Sequence, residues 1–250
     1  LGIPFGTLTM LLKGDEPVPG YVLKKWLGKG QYGEVWRASA PGGAEAALKF
    51  ISLAGRNGFK EFRGVMRIKG IRHAHLMPIT ALWMLDEEGQ VLDERSFLEY
   101  ESQARGEKPN VRATLTVAAP VPSTLVVAML LADKNLLDRI KEAKQSGSHG
   151  IPLEDLLRYM EEAAKGIDYL NGHKHDLGEG PVTIQHCDVK PANIVLVGDS
   201  VLICDFGLAR MMGDNMSSTA TLPSYSLRLA SSDSTSYASP SSLNRSAAVG

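Results

Sequence analysis

The sequence predicts an α+β fold, with strands concentrated in the first half of the chain and helices in the second. Three observations carry that prediction. Tyr21 to Ala38 holds Gly28, Gly30 and Gly33, and the residues after Gly33, Glu34-Val35-Trp36-Arg37-Ala38, continue as a strand instead of opening a helix. Further runs over 46–51, 77–85 and 114–131 read as strands. In the second half, Leu153, Leu156, Leu157, Met160, Ala163, Ala164, Ile167 and Leu170 recur at helical spacing and form an apolar stripe.

Composition narrows the class. Hydrophobic content of 44% and charged content of 22% are those of an ordinary globular protein. A net charge of −1 gives no sign of nucleic acid as a partner. The two cysteines, Cys187 and Cys204, make no disulfide framework, and a reducing cytoplasm is expected. No run approaches the roughly 18 apolar residues that a membrane span needs; the longest, Leu125 to Ala132, suits a buried strand. Leu1 to Leu12 is apolar but lacks the basic start of a signal peptide. The chain opens on Leu1, so its beginning is expected to be cut, processed or mis-assigned, with Met10 a candidate start.

The elements follow in order. Gly28, Gly30 and Gly33 form G-x-G-x-x-G, which lets backbone approach phosphate oxygens. A dinucleotide-binding turn shares this spacing, but would run into a helix with an acidic residue about 20 positions on. A hairpin over a nucleotide, or a plain glycine-rich hairpin, remains. Ala46-Ala47-Leu48-Lys49-Phe50-Ile51 is the next strand, and Lys49 is either a ligand-facing cation or an edge charge. A helix is expected from about Gly58 to Arg72, on the spacing of Phe62, Val65, Met66, Ile68 and Ile71. His73 and His75 read as a packed loop corner and not as metal ligands, because no Cys or carboxylate stands at ligand spacing. Residues 86–112, charged and carrying Gly106 and Pro109, read as a surface insertion or disordered loop. Helices follow over 136–143 and 153–170, with Met160 expected in the core, and then a Gly- and His-rich connection over 171–181.

The chemistry gathers in Gln185-His186-Cys187-Asp188-Val189-Lys190-Pro191-Ala192-Asn193 and Cys204-Asp205-Phe206-Gly207, separated by the apolar run Ile194 to Val197. Phosphoryl transfer from a nucleotide needs a carboxylate to orient the incoming hydroxyl, a cation near the moving phosphate, and oxygen donors for magnesium. Asp188, Lys190, Asn193 and Asp205 supply that inventory at short spacing.

These motifs resemble H-R-D-x-K-P-x-N and D-F-G of the eukaryotic-like Ser/Thr protein kinases, the bacterial-type Hanks group. The resemblance implies a kinase-like two-lobe fold, with a β-rich N-lobe and a helical C-lobe incomplete at its C-terminal end. It implies Mg2+ and ATP as cofactors and a protein bearing Ser or Thr hydroxyls as partner. Asp188 would orient the hydroxyl and take its proton, and Lys190 would neutralise the γ-phosphate. Asn193 and Asp205 would hold the metal. Leu27, Gly28, Lys29, Gly30 and Gly33 would cover the nucleotide, and Lys49 would reach its α- and β-phosphates. Val35 and Ala47 would roof the adenine and Val195 would floor it. Met129 would be the gatekeeper, with the backbones of Leu130 and Ala132 bonding adenine. His186 would pack beneath the catalytic loop, and Cys204 would line the nucleotide site.

Two departures stand out. Counting back from Arg72-His73-Ala74-His75-Leu76 puts the helix glutamate that should pair with Lys49 at Gly64; the nearest acid is Glu61, one turn earlier. Glu61 takes the role if the helix slides or rotates, and is a solvated charge otherwise. Cys187 stands where many kinases have an Arg that clamps an activation-loop phosphate. The expected organisation is an N-terminal extension over 1–20, an N-lobe over 21–132, a partial C-lobe over 133–216, and a Ser-rich, disordered tail over 217–250 where the resemblance stops. The alternatives are a nucleotide-binding pseudokinase or scaffold, or an inactive truncated fragment.

Overall fold

A computed structural model describes residues 10–30, 33–93, 95–96, 98–100, 121–176 and 181–213. The expected strand portion 114–120 and the tail 217–250 lie outside the described residues.

Strands β1 (Val22–Gly30), β2 (Gly33–Ser39), β3 (Glu45–Ser52), β4 (Ile79–Leu85) and β5 (Thr124–Leu130) form one antiparallel sheet in the order β1-β2-β3-β5-β4. The central strands β3 and β5 read as near-continuous apolar runs because both faces are covered. One face carries Leu23, Trp36, Leu48, Phe50 and Val126. The N-terminal extension joins this face: Val18 is 1% exposed, and Gly14 N donates to Leu23 O at 2.8 Å. The structured lobe therefore starts before Tyr21.

Helix α1 (Gly55–Ile68) follows β3. It starts and stops earlier than the expected 58–72. Beyond its end, the Arg72 guanidinium donates to the Lys69 and Ile71 carbonyls at 2.9 and 3.0 Å, satisfying carbonyls that the helix leaves open.

The second half begins with β6 (Lys134–Asn135), α2 (Leu136–Gln145) and α3 (Leu153–Asn171). Next come β7 (His175–Asp176), β8 (Pro181–Gln185), β9 (Ile194–Val197), β10 (Ser200–Ile203) and β11 (Arg210–Gly213). They form two small sheets, β10-β9-β6 and β11-β8-β7. Asn135 caps α2 by accepting from Asp138 N at 2.8 Å. The α3 stripe is corrected. Its buried face is Tyr159, Ala163, Gly166 and Leu170, whereas Leu153, Leu157 and Met160 are 69, 61 and 39% exposed. Gly166 sets that rotation, because a Cβ there would lie 2.8 Å from the His75 carbonyl. Met160 is not a core residue.

One apolar core runs from Ile51, Phe62 and Leu125 of the first lobe to Leu170, Ile184 and Ile203 of the second. The His73–His75 corner crosses between them. His73 stacks on Tyr169 at 4.5 Å, and His75 Nδ1 lies 3.0 Å from the Val201 carbonyl. The 86–112 segment is not wholly a surface loop. Residues 95–96 and 98–100 are helical, and Tyr100 is 7% exposed. Among the described residues no helix is long and apolar enough to cross a membrane.

Candidate active site

The two lobes leave a cavity of about 350 Å³ between them, within the usual range for a small-molecule site. The sheet supplies its upper wall through Leu27, Gly30, Gly33, Val35, Ala47 and Lys49. Met129, Leu130 and Ala132 line the back, where β5 leaves the sheet. Asn193, Val195, Cys204 and Asp205 close it from below. Thirteen of the residues expected at the nucleotide and metal are thus brought together. Gly28 and Lys29 lie nearby on β1, opposite Val35 and Glu34, without lining the cavity. Asp188 and Lys190 sit outside its lining, in the loop before β9.

The glycines divide by cause. A Cβ on Gly33 would fall 1.7 Å from the Phe50 carbonyl, so close strand packing alone demands glycine there. A Cβ on Gly28 would meet nothing within 4 Å, and one on Gly30 only the Gly33 carbonyl at 3.9 Å. Among the described residues no packing explains those two, and both leave open space beside the cavity for a ligand.

Lys49 projects from β3 toward two carboxylates. Its Nζ donates to Glu61 Oε1 at 2.6 Å and to Asp205 Oδ1 at 2.8 Å. Burial opposes the Lys49 charge, but Asp205 and Glu61 outweigh it and hold its pKa above the ordinary value. Glu61 is 1% exposed; burial pushes its pKa up, against the pull of Lys49. Glu61, not Gly64, therefore pairs with the strand lysine. The reason lies in Gly64 itself: a Cβ there would come 2.5 Å from the Phe206 carbonyl. Without a side chain at 64, α1 lies directly on the Asp205-Phe206-Gly207 turn and presents Glu61 to Lys49. Gly207 reciprocates, since a Cβ on it would overlap the Glu61 carboxylate at 1.6 Å.

The catalytic-loop residues are tied to one another. Asn193, 5% exposed, donates from Nδ2 to the Asp188 carbonyl and to Asp188 Oδ2, both at 2.9 Å. Lys190 Nζ reaches Asp188 Oδ2 at 2.8 Å. His186, 3% exposed, lies under the loop as expected. Its Nδ1 accepts from Asp188 N at 3.2 Å and its Nε2 faces the Cys204 carbonyl at 3.0 Å. That pattern needs the neutral Nε2–H tautomer, and burial lowers the His186 pKa accordingly. Phe206 packs on its ring at 4.9 Å. Cys187 and Asp205 hold left-handed backbone, at φ 60° and 64°, which costs a non-glycine residue about 1–3 kcal/mol. Cys204 N donates to the Asn193 carbonyl at 2.9 Å, which links the two motifs. Burial pushes the Cys204 thiol up to about 12, so it lines the cavity as a neutral group.

Oxygen donors that suit magnesium stand together below the cavity. Asp205 Oδ1 accepts from Lys49, and that bond leaves Oδ2 uninvolved; the Asn193 amide oxygen takes no part in the two Nδ2 bonds. A carboxylate and an amide oxygen are hard ligands that fit Mg2+.

Sequence reasoning missed Met77, Asn135 and Asp138, which also line the cavity. Met77 packs with Val195 and Leu202. Asn135 had a signal, a capping residue directly before the apolar start of α2.

The model of the protein kinase domain family matches residues 21–247, and so runs past Met216, where the sequence resemblance was expected to stop. The LRR receptor-like serine/threonine-protein kinase EFR of Arabidopsis thaliana is 29% identical over 190 residues, 74% of this chain and 15% of that protein. The tyrosine-protein kinase Srms of Mus musculus is 25% identical over 209 residues, 83% of this chain and 32% of that protein. Serine/threonine-protein kinase 36 of Pongo abelii is 25% identical over 201 residues, 78% of this chain and 11% of that protein. The chain thus spans less than a third of the length of each of these relatives.

Proposed function

The chain belongs to the protein kinase domain family, and we propose that it transfers the γ-phosphate of ATP to a protein serine or threonine hydroxyl. The observation that carries this is the Lys49 ammonium bonded to both Glu61 and Asp205 beside a nucleotide-sized cavity. In this family's chemistry that lysine must be held at the phosphates while the aspartate faces the metal.

Adenine fits the apolar slot between Val35, Ala47 and Val195, and Met129 bounds its depth. Lys49 binds the α- and β-phosphates. Bound to Asn193 and Asp205, Mg2+ supplies charge neutralisation on the phosphate oxygens. Asp188 accepts a hydrogen bond from the substrate hydroxyl and takes its proton as the new O–P bond forms and the bond to ADP breaks. Lys190, on Asp188 Oδ2 at 2.8 Å, is placed to meet the γ-phosphate charge. Lys190-Pro191 supports Ser/Thr over Tyr acceptors, and two free cysteines support a cytoplasmic site of action.

The exposed Cys187 favours a second reading, a nucleotide-binding pseudokinase or scaffold, because a thiol cannot clamp an activation-loop phosphate as a guanidinium does. Mg-ATP titration of the chain and of Lys49→Ala, with Ser-, Thr- and Tyr-containing peptides as acceptors, separates the readings. Binding with transfer to Ser or Thr peptides is the expected result. Binding without transfer would favour the pseudokinase, and transfer to Tyr alone would overturn the acceptor assignment.

A further inference from the structure

A contact outside the cleft bears on the position of Glu61. The connection leaving β4 turns back along the sheet: Val91 bridges to Leu85, and Leu92 N donates to the Met84 carbonyl at 2.8 Å. Asp93 then accepts from Ser96 N at 2.8 Å, a helix-capping bond, and residues 95–96 and 98–100 are helical. This path seats Tyr100 on α1. Its ring meets Phe62 edge-on, with centroids 5.0 Å apart and planes at 89°. Tyr100 is 7% exposed and Phe62 is 0%. Burial raises the Tyr100 hydroxyl pKa to about 12, so the ring stays neutral.

Phe62 is the chain neighbour of Glu61. Successive residues on a helix point about 100° apart, so one enters the cleft while the other faces the connection. Gly64 on the Phe206 carbonyl and Arg67 on the Ala209 carbonyl hold the face of α1 toward the second lobe, but the intrinsic stability of the helix is low. The helix contains Gly55, Gly58 and Gly64, and its N-cap Ala54 makes no side-chain bond; each of these weakens an isolated helix. Glu61 Oε2 is buried and makes no hydrogen bond among the described residues. The ion pair with Lys49 therefore leaves part of the cost of burying that carboxylate without an offset. Apolar docking of α1 must supply the difference.

We infer that Tyr100 is a positioning residue: seated on Phe62, it holds α1 in the register that keeps Glu61 on Lys49. The described start of the β4–β5 connection thus braces α1 through Tyr100. The inference rests on the phosphoryl-transfer reading for its activity arm only.

The deciding experiment is amide hydrogen exchange on the full chain, comparing α1 with α3, for Tyr100→Ala and Tyr100→Phe. Exchange of α1 amides should rise about tenfold or more in Tyr100→Ala while α3 changes little, and Tyr100→Phe should keep α1 protected. Unchanged α1 amides would overturn the inference. So would equal acceleration of α3, which would make Tyr100 a general core residue. In the transfer assay, Tyr100→Ala should lower kcat in the unaltered background and add nothing to Glu61→Gln, because both act on one contact. A full additional loss in the Glu61→Gln background would contradict it. Absence of transfer in the unaltered chain would count against the proposed function, while the exchange result would still decide the role of Tyr100.

Discussion

Glu61 Oε1 accepts a 2.6 Å hydrogen bond from Lys49 Nζ, although sequence spacing assigns that role to position 64, one helical turn later. The shift is possible because Gly64 lets α1 rest on the Phe206 carbonyl. Restoring an acid at the position that spacing suggests should therefore fail. In a Glu61→Ala background, Gly64→Glu is expected to recover no transfer and to lower stability further, since its Cβ would sit 2.5 Å from backbone. Recovery of activity in that double variant would show that α1 can rotate to a second productive register.

Lys49→Ala should abolish transfer and also destabilise the chain. It leaves Glu61, 1% exposed, without its cation, a change worth up to about 3 kcal/mol before Glu61 takes up a proton. Lys49→Met combined with Glu61→Leu removes both charges and should restore most of that stability without restoring transfer. Chemical denaturation and the transfer assay together check both halves.

The pH dependence of stability has a sign set by His186. Burial depresses its pKa in the folded chain, so below about 6.5 the unfolded chain binds a proton that the folded chain does not. Its contribution is present above the unfolded pKa and is lost as pH falls through 6.5 toward the folded pKa, at up to about 1.4 kcal/mol per pH unit. Denaturation between pH 7.5 and 5 should show this slope, and His186→Asn should flatten it. The raised Glu61 pKa acts with the opposite sign, so the difference between the two proteins, not the raw curve, isolates His186.

The two cysteines should differ in reactivity. Cys187 is exposed, whereas the Cys204 thiol, pushed up to about 12, stays protonated at pH 8. Timed alkylation with iodoacetamide, read by peptide mass, should label Cys187 first by a wide margin. Early labelling of Cys204 would mean that the floor of the cavity opens in solution.

Most of the cleft was legible because its chemistry is carried by contiguous motifs. Val35, Ala47, Lys49, Met129, Val195 and Asp205 all line one cavity; it is the resemblance to the kinase motifs, and not spacing, that groups them in the sequence. What failed was whatever depends on rotation about a helix axis or on long-range packing. Apolar period gave the α3 stripe but not which side faces the core, and the close approach of Gly166 to the His75 carbonyl turned Met160 outward. The position of Glu61 likewise depends on Gly64 meeting Phe206, a residue far along the chain. Tyr100 sits in a charged segment whose composition reads as loop, and its contact with Phe62 is long-range packing that composition does not report. Met77 had no signal, because it gains its role by packing with Val195 and Leu202.

The proposed phosphoryl transfer depends above all on Asp188, which Lys190 and Asn193 hold. The most direct measurement is transfer of labelled γ-phosphate from Mg-ATP to a Ser/Thr protein substrate, comparing the chain with Asp188→Asn. Transfer should fall by about 10²–10⁴-fold in the variant, while Mg-ATP binding through Lys49 persists. Equal transfer by both proteins would contradict that dependence on Asp188.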